Sequence, residues 1–89
     1  MLKVRRPIVV EGRYDRIRLS SVIDGVILET GGFRIFKDPD QLALLKRAAE
    51  RRGLIVLTDS DGAGFVIRNH IKSVIPGALL KHAYIPDVY

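Results

Sequence analysis

Short apolar runs and longer amphipathic ones take turns along this chain, and that alternation constrains the fold more than any other feature. Residues 7–10 (PIVV), 26–28 (VIL), 54–57 (LIVL) and 78–85 (ALLKHAYI) read as strands. Between the first two, residues 13–23 read as a helix. Its Tyr14, Ile17, Ser21 and Val22 share a face for the sheet, and Arg13, Arg16 and Ser20 point elsewhere. Gly31 and Gly32 stop the second strand. The next helix starts at Asp38-Pro39-Asp40-Gln41, with Asp38 as N-cap and Pro39 in the first helical position. Leu42, Leu45 and Ala49 form its inner stripe, with Lys46, Arg47, Glu50 and Arg51 outside, and Gly53 stands where a C-terminal cap belongs. Residues 65–74 form the third helix, with Ile67, Ile71, Val74 and Ile75 turned inward, ending before Pro76-Gly77. The order β-α-β-α-β-α-β implies one α/β domain over residues 1–89. Its four-stranded parallel sheet is flanked by helices through right-handed crossovers.

The third strand runs into an acidic turn, residues 54–64 reading LIVLTDSDGAG. Asp59 and Asp61 can point the same way, because side chains alternate along a strand. Two carboxylates about 5 Å apart repel by roughly 3 kcal/mol at an effective dielectric near 20, and a divalent cation offsets that repulsion. Glu11-Gly12 closes the first strand. In open parallel sheets, ligands sit beyond the carboxyl ends of the strands, where the strand order reverses. If the first and third strands are neighbours, Glu11, Asp59 and Asp61 meet at that point.

This donor set suits magnesium, which prefers carboxylate and water oxygens, and manganese accepts the same ligands. Glu11 can complete the metal shell or move a proton in phosphoryl chemistry. Gly12 leaves room beside it. Gly62 and Gly64 allow a tight turn and close approach of phosphate to backbone, at the amino end of the helix that follows. Arg13 can contact a phosphate. Asp15 can orient Arg13 or bind metal through water, and it also fits as an acid in the first turn of a helix. His70 reads as a polar-face residue, His82 as a hydrogen-bonded edge residue and Lys81 as a solvated strand end. No Ser-His-Asp order or histidine metal spacing stands out.

Charge bears on the partner. Fifteen basic residues against ten acidic ones give a net charge of +5 and a pI near 10.0. Lys3, Arg5, Arg6, Arg13, Arg16 and Arg18 crowd the first eighteen positions. A polyanion such as nucleic acid fits this balance. The absence of cysteine excludes disulfides, thiolate metal sites and cysteine nucleophiles. No apolar run reaches the ~20 residues that span a bilayer. The first residues lack the pattern of a secretory leader. A cytoplasmic protein without a membrane partner is expected.

EGRYD (11–15) together with LTDSDGAG (57–64) resembles the Toprim domain, the metal-binding module shared by topoisomerases, primases and certain nucleases. The signature is a Glu-Gly pair after the first strand and Asp-x-Asp after the third, and both are present in that order. VVEGRYD (9–15), LETGG (28–32), LTDSDGAGFVIR (57–68) and PGALLKHAYIP (76–86) carry a finer likeness, to the bacterial nucleases that mature 5S ribosomal RNA precursors. The resemblance implies a compact Rossmann-like Toprim fold and a magnesium-dependent endoribonuclease core acting on structured RNA. It implies Glu11, Asp59 and Asp61 as metal-binding catalytic acids, Asp15 as an accessory acid and Arg68 as an RNA-facing residue. With Arg13, Gly12, Gly62 and Gly64, Arg68 makes up the expected nucleic-acid contacts. In those maturases a further region, associated with recognising the RNA and a ribosomal-protein cofactor, follows the Toprim unit; RNA is the expected partner, with a ribosomal-protein cofactor if the chain is part of such a maturase.

Other readings of the same residues are a free-standing module that binds nucleic acid or a partner without turnover, and a primase- or topoisomerase-related protein. Strand passage and priming need further domains, and Tyr14, Tyr84 and Tyr89 have no context for the attacking role. A phosphoryl-accepting receiver domain fits poorly, since Glu11 is the only acid directly after the first strand and the pI is basic.

Overall fold

The computed structural model describes residues 1–32, 34–59 and 62–85. In chain order the elements are β1 (Leu2–Lys3), β2 (Ile8–Val10), α1 (Arg13–Ser20), β3 (Ile23–Asp24), β4 (Ile27–Glu29) and α2 (Arg34–Lys37). There follow α3 (Pro39–Arg52), β5 (Leu54–Asp59), α4 (Gly62–Val74), a 3-10 turn (Gly77–Leu79) and β6 (Leu80–Ile85). β4, β2, β5 and β6 form one parallel sheet in that spatial order. The expected β/α alternation and parallel sheet are present, and the first and third main strands are neighbours, paired Ile8 to Ile55 and Val9 to Val56.

Burial follows from where each strand sits. Ile8, Val9 and Val10 of the central β2 are at most 4% exposed. On β5, Leu54, Val56 and Thr58 are buried, while Ile55 and Leu57 on the other face are only half-buried. The core joins Val9, Leu54 and Val56 to Ile35 of α2, Leu45 and Ala49 of α3, and Ile67, Ile71 and Ile75 of α4. The inward stripes of α3 and α4 are therefore those read from the sequence, with Leu42 and Val74 packed at the margin. The caps of α3 also stand. The Asp38 side chain accepts from the Asp40 and Gln41 amides at 3.1 and 3.3 Å. Gly53 closes the helix at φ +75°, where a Cβ would lie 3.0 Å from the Leu79 carbonyl oxygen.

The first helix departs from expectation. It ends at Ser20 and buries no residue. Tyr14 is 83% exposed, and Ile17, Ser21 and Val22 are exposed as well. The cause is a non-local pairing. The Val22 carbonyl accepts from the Leu2 amide at 3.0 Å, and β3 pairs with β1 in a two-stranded parallel sheet of its own. That pairing draws residues 22 and 23 out of the expected helix.

Three smaller differences have local causes. α4 begins at Gly62 rather than residue 65, its start hidden by glycines of low helix propensity. β5 runs on to Asp59 because β6 pairs with it as far as Ile85. β6 starts at Leu80 because the 3-10 turn after Pro76 occupies residues 77–79. Among the described residues no helix is long and apolar enough to cross a membrane.

Candidate active site

β2 lies between β4 and β5, so the chain leaves it to one side first and to the other later. The sheet's reversal point therefore falls between β2 and β5. Glu11 leaves β2 at its carboxyl end, and Asp59 is the last residue of β5. From the register of Val9 with Val56, Glu11 emerges level with the Thr58–Asp59 end of the neighbouring strand, one strand spacing of about 4.8 Å away. The fold thus brings these two backbone positions together. Asp61 lies outside the described residues, as does the side chain of Asp59. Among the described residues no three histidines or acids stand together as a metal cage.

The backbone around Glu11 is tightly held. Its carbonyl oxygen accepts from the Gly31 amide at 3.0 Å and from the Thr30 hydroxyl at 3.2 Å. The Thr30 amide donates to the Val10 carbonyl at 2.9 Å, and Thr30 is 1% exposed. Gly31 makes this possible at φ +61°, a left-handed conformation that turns the loop back toward β2. The role of Thr30 and Gly31 in holding Glu11 goes beyond the strand stop that Gly31 offers in the sequence. Their signal was present in LETGG, which followed a strand as EGRYD and LTDSDG do.

Gly12 is the N-cap of α1, and no side chain caps that helix end. Among the described residues, a Cβ on Gly12 would touch only the Asp15 carboxylate, at 3.9 Å, and one on Gly62 would meet nothing within 4 Å. Both glycines therefore leave open room at the amino ends of α1 and α4. Asp15 sits half-buried in the first turn of α1, and Arg13 is exposed at its start. Gly64 is buried.

A further acid stands at this edge. Glu29 ends β4, in register with Val10, and pairs with Arg16 of α1. The two side chains are 45% and 29% exposed for Arg16 and Glu29 respectively, so the pair contributes on the order of 0–1 kcal/mol. Its geometric effect is to tie α1 to the strand ends. A polar depression of about 370 Å³, lined by Glu29, Thr30, Gly31, Arg34 and others, opens beside it.

Arg68 corrects the expectation of an RNA-facing residue. It is 2% exposed. Its Nε donates to the Thr58 hydroxyl at 3.0 Å, one terminal nitrogen meets His82 Nδ1 at 2.6 Å, and the other donates to the Ala83 carbonyl. The Tyr84 ring lies 3.8 Å from the guanidinium carbon. Burial lowers its pKa, and Tyr84 acts in the opposite sense. The guanidinium is thus committed to joining α4 to β5 and β6, directly behind the residue that precedes Asp59. His82 is the hydrogen-bonded edge residue expected. Its pKa lies below the ordinary value, first through burial and then through the charges of Arg68 and Lys72. His70 is exposed, with its ring 5.1 Å from that of Phe36.

A parallel α/β sheet in the order β4-β2-β5-β6, with Glu-Gly after β2 and an acid ending β5, makes a Rossmann-like unit consistent with the Toprim fold. No family model matches the chain. Individual proteins do. It is 42% identical over 86 residues to ribonuclease M5 of Lactiplantibacillus plantarum, a match covering 97% of this chain and 44% of that protein. It is 40% identical over 86 residues to ribonuclease M5 of Borreliella burgdorferi, covering 96% of this chain and 46% of that one. Ribonuclease M5 of Bacillus subtilis is 39% identical over 85 residues, with 96% and 44% covered. Over nearly its whole length the chain is thus similar to these ribonuclease M5 proteins, and it spans less than half the length of the curated relatives it matches.

Proposed function

We propose that this chain is the catalytic unit of a magnesium-dependent endoribonuclease that cuts phosphodiester bonds in structured RNA, with 5S ribosomal RNA precursors as substrate class. The observation that carries the reading is the adjacency of Glu11 and the Asp59 end of β5 at the reversal point of the sheet. The similarity to ribonuclease M5 over nearly the whole chain supports it.

The donor chemistry fits a hard divalent ion, since every candidate ligand is a carboxylate and cysteine is absent. Glu11, Asp59 and Asp61 would hold it. Once bound, such an ion stabilises charge developing on the phosphate oxygens during in-line displacement by water. The rest falls to the chain itself. Glu11, its backbone pinned by Thr30 and Gly31, completes the oxygen shell or takes the proton of the attacking water. The uncapped amides of α1 and the open space at Gly12 and Gly62 admit a phosphate. Arg13 binds the backbone beside the cut, and Asp15 orients Arg13. By the finer resemblance, the enzyme acts in the cytoplasm with a ribosomal-protein cofactor.

The test is cleavage of a labelled 5S precursor in magnesium and in EDTA, with Asp59→Asn and Glu11→Gln compared under matched circular dichroism. Cleavage should require the ion and fall by about 100-fold or more in each variant. A folded Asp59→Asn variant that cuts like the wild type removes Asp59 from the site. Cleavage that persists in EDTA removes the metal.

A further inference from the structure

Five arginines ring the edge of the sheet opposite the strand-end acids. Arg5 and Arg6 lead into β2, while Arg47, Arg51 and Arg52 lie in the last two turns of α3, just ahead of β5. Three depressions of about 500, 520 and 230 Å³ adjoin there. The first two share Arg5 and Arg52, and the last two share Arg6 and Arg52. Part of the cluster has a local cause, because cations in the last turn of a helix are favoured by its dipole. That accounts for Arg51 and Arg52. It does not account for Arg5 and Arg6, which arrive from a distant part of the chain, or for Arg47 a turn earlier. Among the described residues none of the five forms an ion pair with a carboxylate. Arg52 donates to the Arg5 carbonyl at 3.5 Å, which holds two of them together without neutralising either. Glu50 lines only the smallest depression.

We propose that this arginine edge is a second phosphate-backbone contact for RNA, remote from the strand-end acids. The proposal rests on the RNA-nuclease reading above. Three observations favour RNA as the occupant. The cluster is built of arginine without lysine, and the guanidinium fork matches a phosphate at two points. Its charges lack carboxylate partners in the described chain. The opposite edge carries Glu11, Asp15 and Asp59, which oppose a polyanion and are only partly offset by Arg13 there, so RNA gains from a holding force elsewhere on the molecule. The six residues of β5 separate the two edges by about 20 Å at 3.3 Å per residue. Structured RNA of that reach is gripped at the arginine edge and presented to the acids.

The experiment is fluorescence anisotropy with a labelled RNA hairpin between 50 and 200 mM salt. It compares wild type, Arg5→Gln/Arg47→Gln/Arg51→Gln, and a charge-matched Lys37→Gln/Lys46→Gln/Lys72→Gln control; all six positions are exposed. The arginine triple should lose affinity by tenfold or more, with the slope of log affinity against log salt shallower by about two to three. The lysine triple should lose far less. An Arg→Lys triple at the same positions should keep most of the slope while losing part of the affinity. If the glutamine triple loses its circular dichroism signal, Arg47→Gln alone carries the test, with a slope change of about one. Wild-type affinity in the arginine variants overturns the edge and leaves the nuclease reading standing. Equal losses in both triples also overturn it, since net charge then suffices. A wild-type protein that never binds the hairpin overturns both readings.

Discussion

Arg68 shows how a residue type suited to RNA can be spent inside the fold. Its three nitrogens reach Thr58, His82 and Ala83, and its plane lies over Tyr84. Hydrogen bonds from a charged donor contribute about 1.5–3 kcal/mol each, and a buried acceptor left without its donor costs about 1–3 kcal/mol. Arg68→Ala should therefore destabilise the fold by about 2–4 kcal/mol in urea denaturation, with Arg68→Lys recovering only part of it. An Arg68→Ala protein with wild-type stability and weakened RNA binding would restore the surface role read from the sequence. His82 carries the pH dependence of this cluster. Its Nδ1 accepts from Arg68, so the neutral ring is the one that fits. The folded-state pKa is lowered below 6.5, first by burial. The unfolded chain therefore binds the proton more readily. Stability should be complete above about pH 6.5 and fall as the pH drops toward the folded value, and His82→Gln should flatten that part of the curve. A wild-type profile unchanged by His82→Gln would show that another group titrates there.

At the scale of elements, what was legible in the sequence is what short-range physics determines. Asp38, Pro39 and Gly53 each bear a local role that no distant residue can change, and α3 starts and stops where they say. Its N-cap gives a direct check. Asp38→Ala should cost about 1 kcal/mol, since the Asp40 and Gln41 amides lose their acceptor. Gly53→Ala should cost more than about 1 kcal/mol, because a left-handed φ and the Leu79 carbonyl at 3.0 Å both oppose a Cβ. Equilibrium unfolding measures both, and a Gly53→Ala protein of unchanged stability would mean that the helix end can relax. α1 was misread because its end depends on β1 pairing with β3, a contact between residues some twenty positions apart that no periodicity announces. The same limit applies to the candidate site. The strand ends that carry Glu11 and Asp59 were legible from VVEG and LIVLTD. The Thr30 and Gly31 bonds that pin Glu11, and the Arg16 link to Glu29, were not, because they join elements separated along the chain.

On the scale of the whole molecule, the two edges of the sheet carry opposite charge problems. At one edge the sequence puts Asp59 and Asp61 one residue apart, and carboxylates 5 Å apart repel by up to about 3 kcal/mol at an effective dielectric near 20. If they serve a cation, this cost is present without metal and relieved with it. Asp59→Asn/Asp61→Asn should then be more stable than wild type in EDTA, by an amount that shrinks as salt screens the pair. Manganese should reverse the order. Binding to the folded state alone adds RT ln(1 + [L]/Kd), about 4.1 kcal/mol at a thousandfold excess over Kd, which exceeds the repulsion, and the double variant forgoes it. Urea denaturation of both proteins in EDTA and in manganese yields four stabilities, and the crossing of their order is the signature of a functional carboxylate pair. A double variant less stable than wild type in EDTA, and indifferent to manganese just as the wild type is, would make the acidic turn a structural feature of the fold.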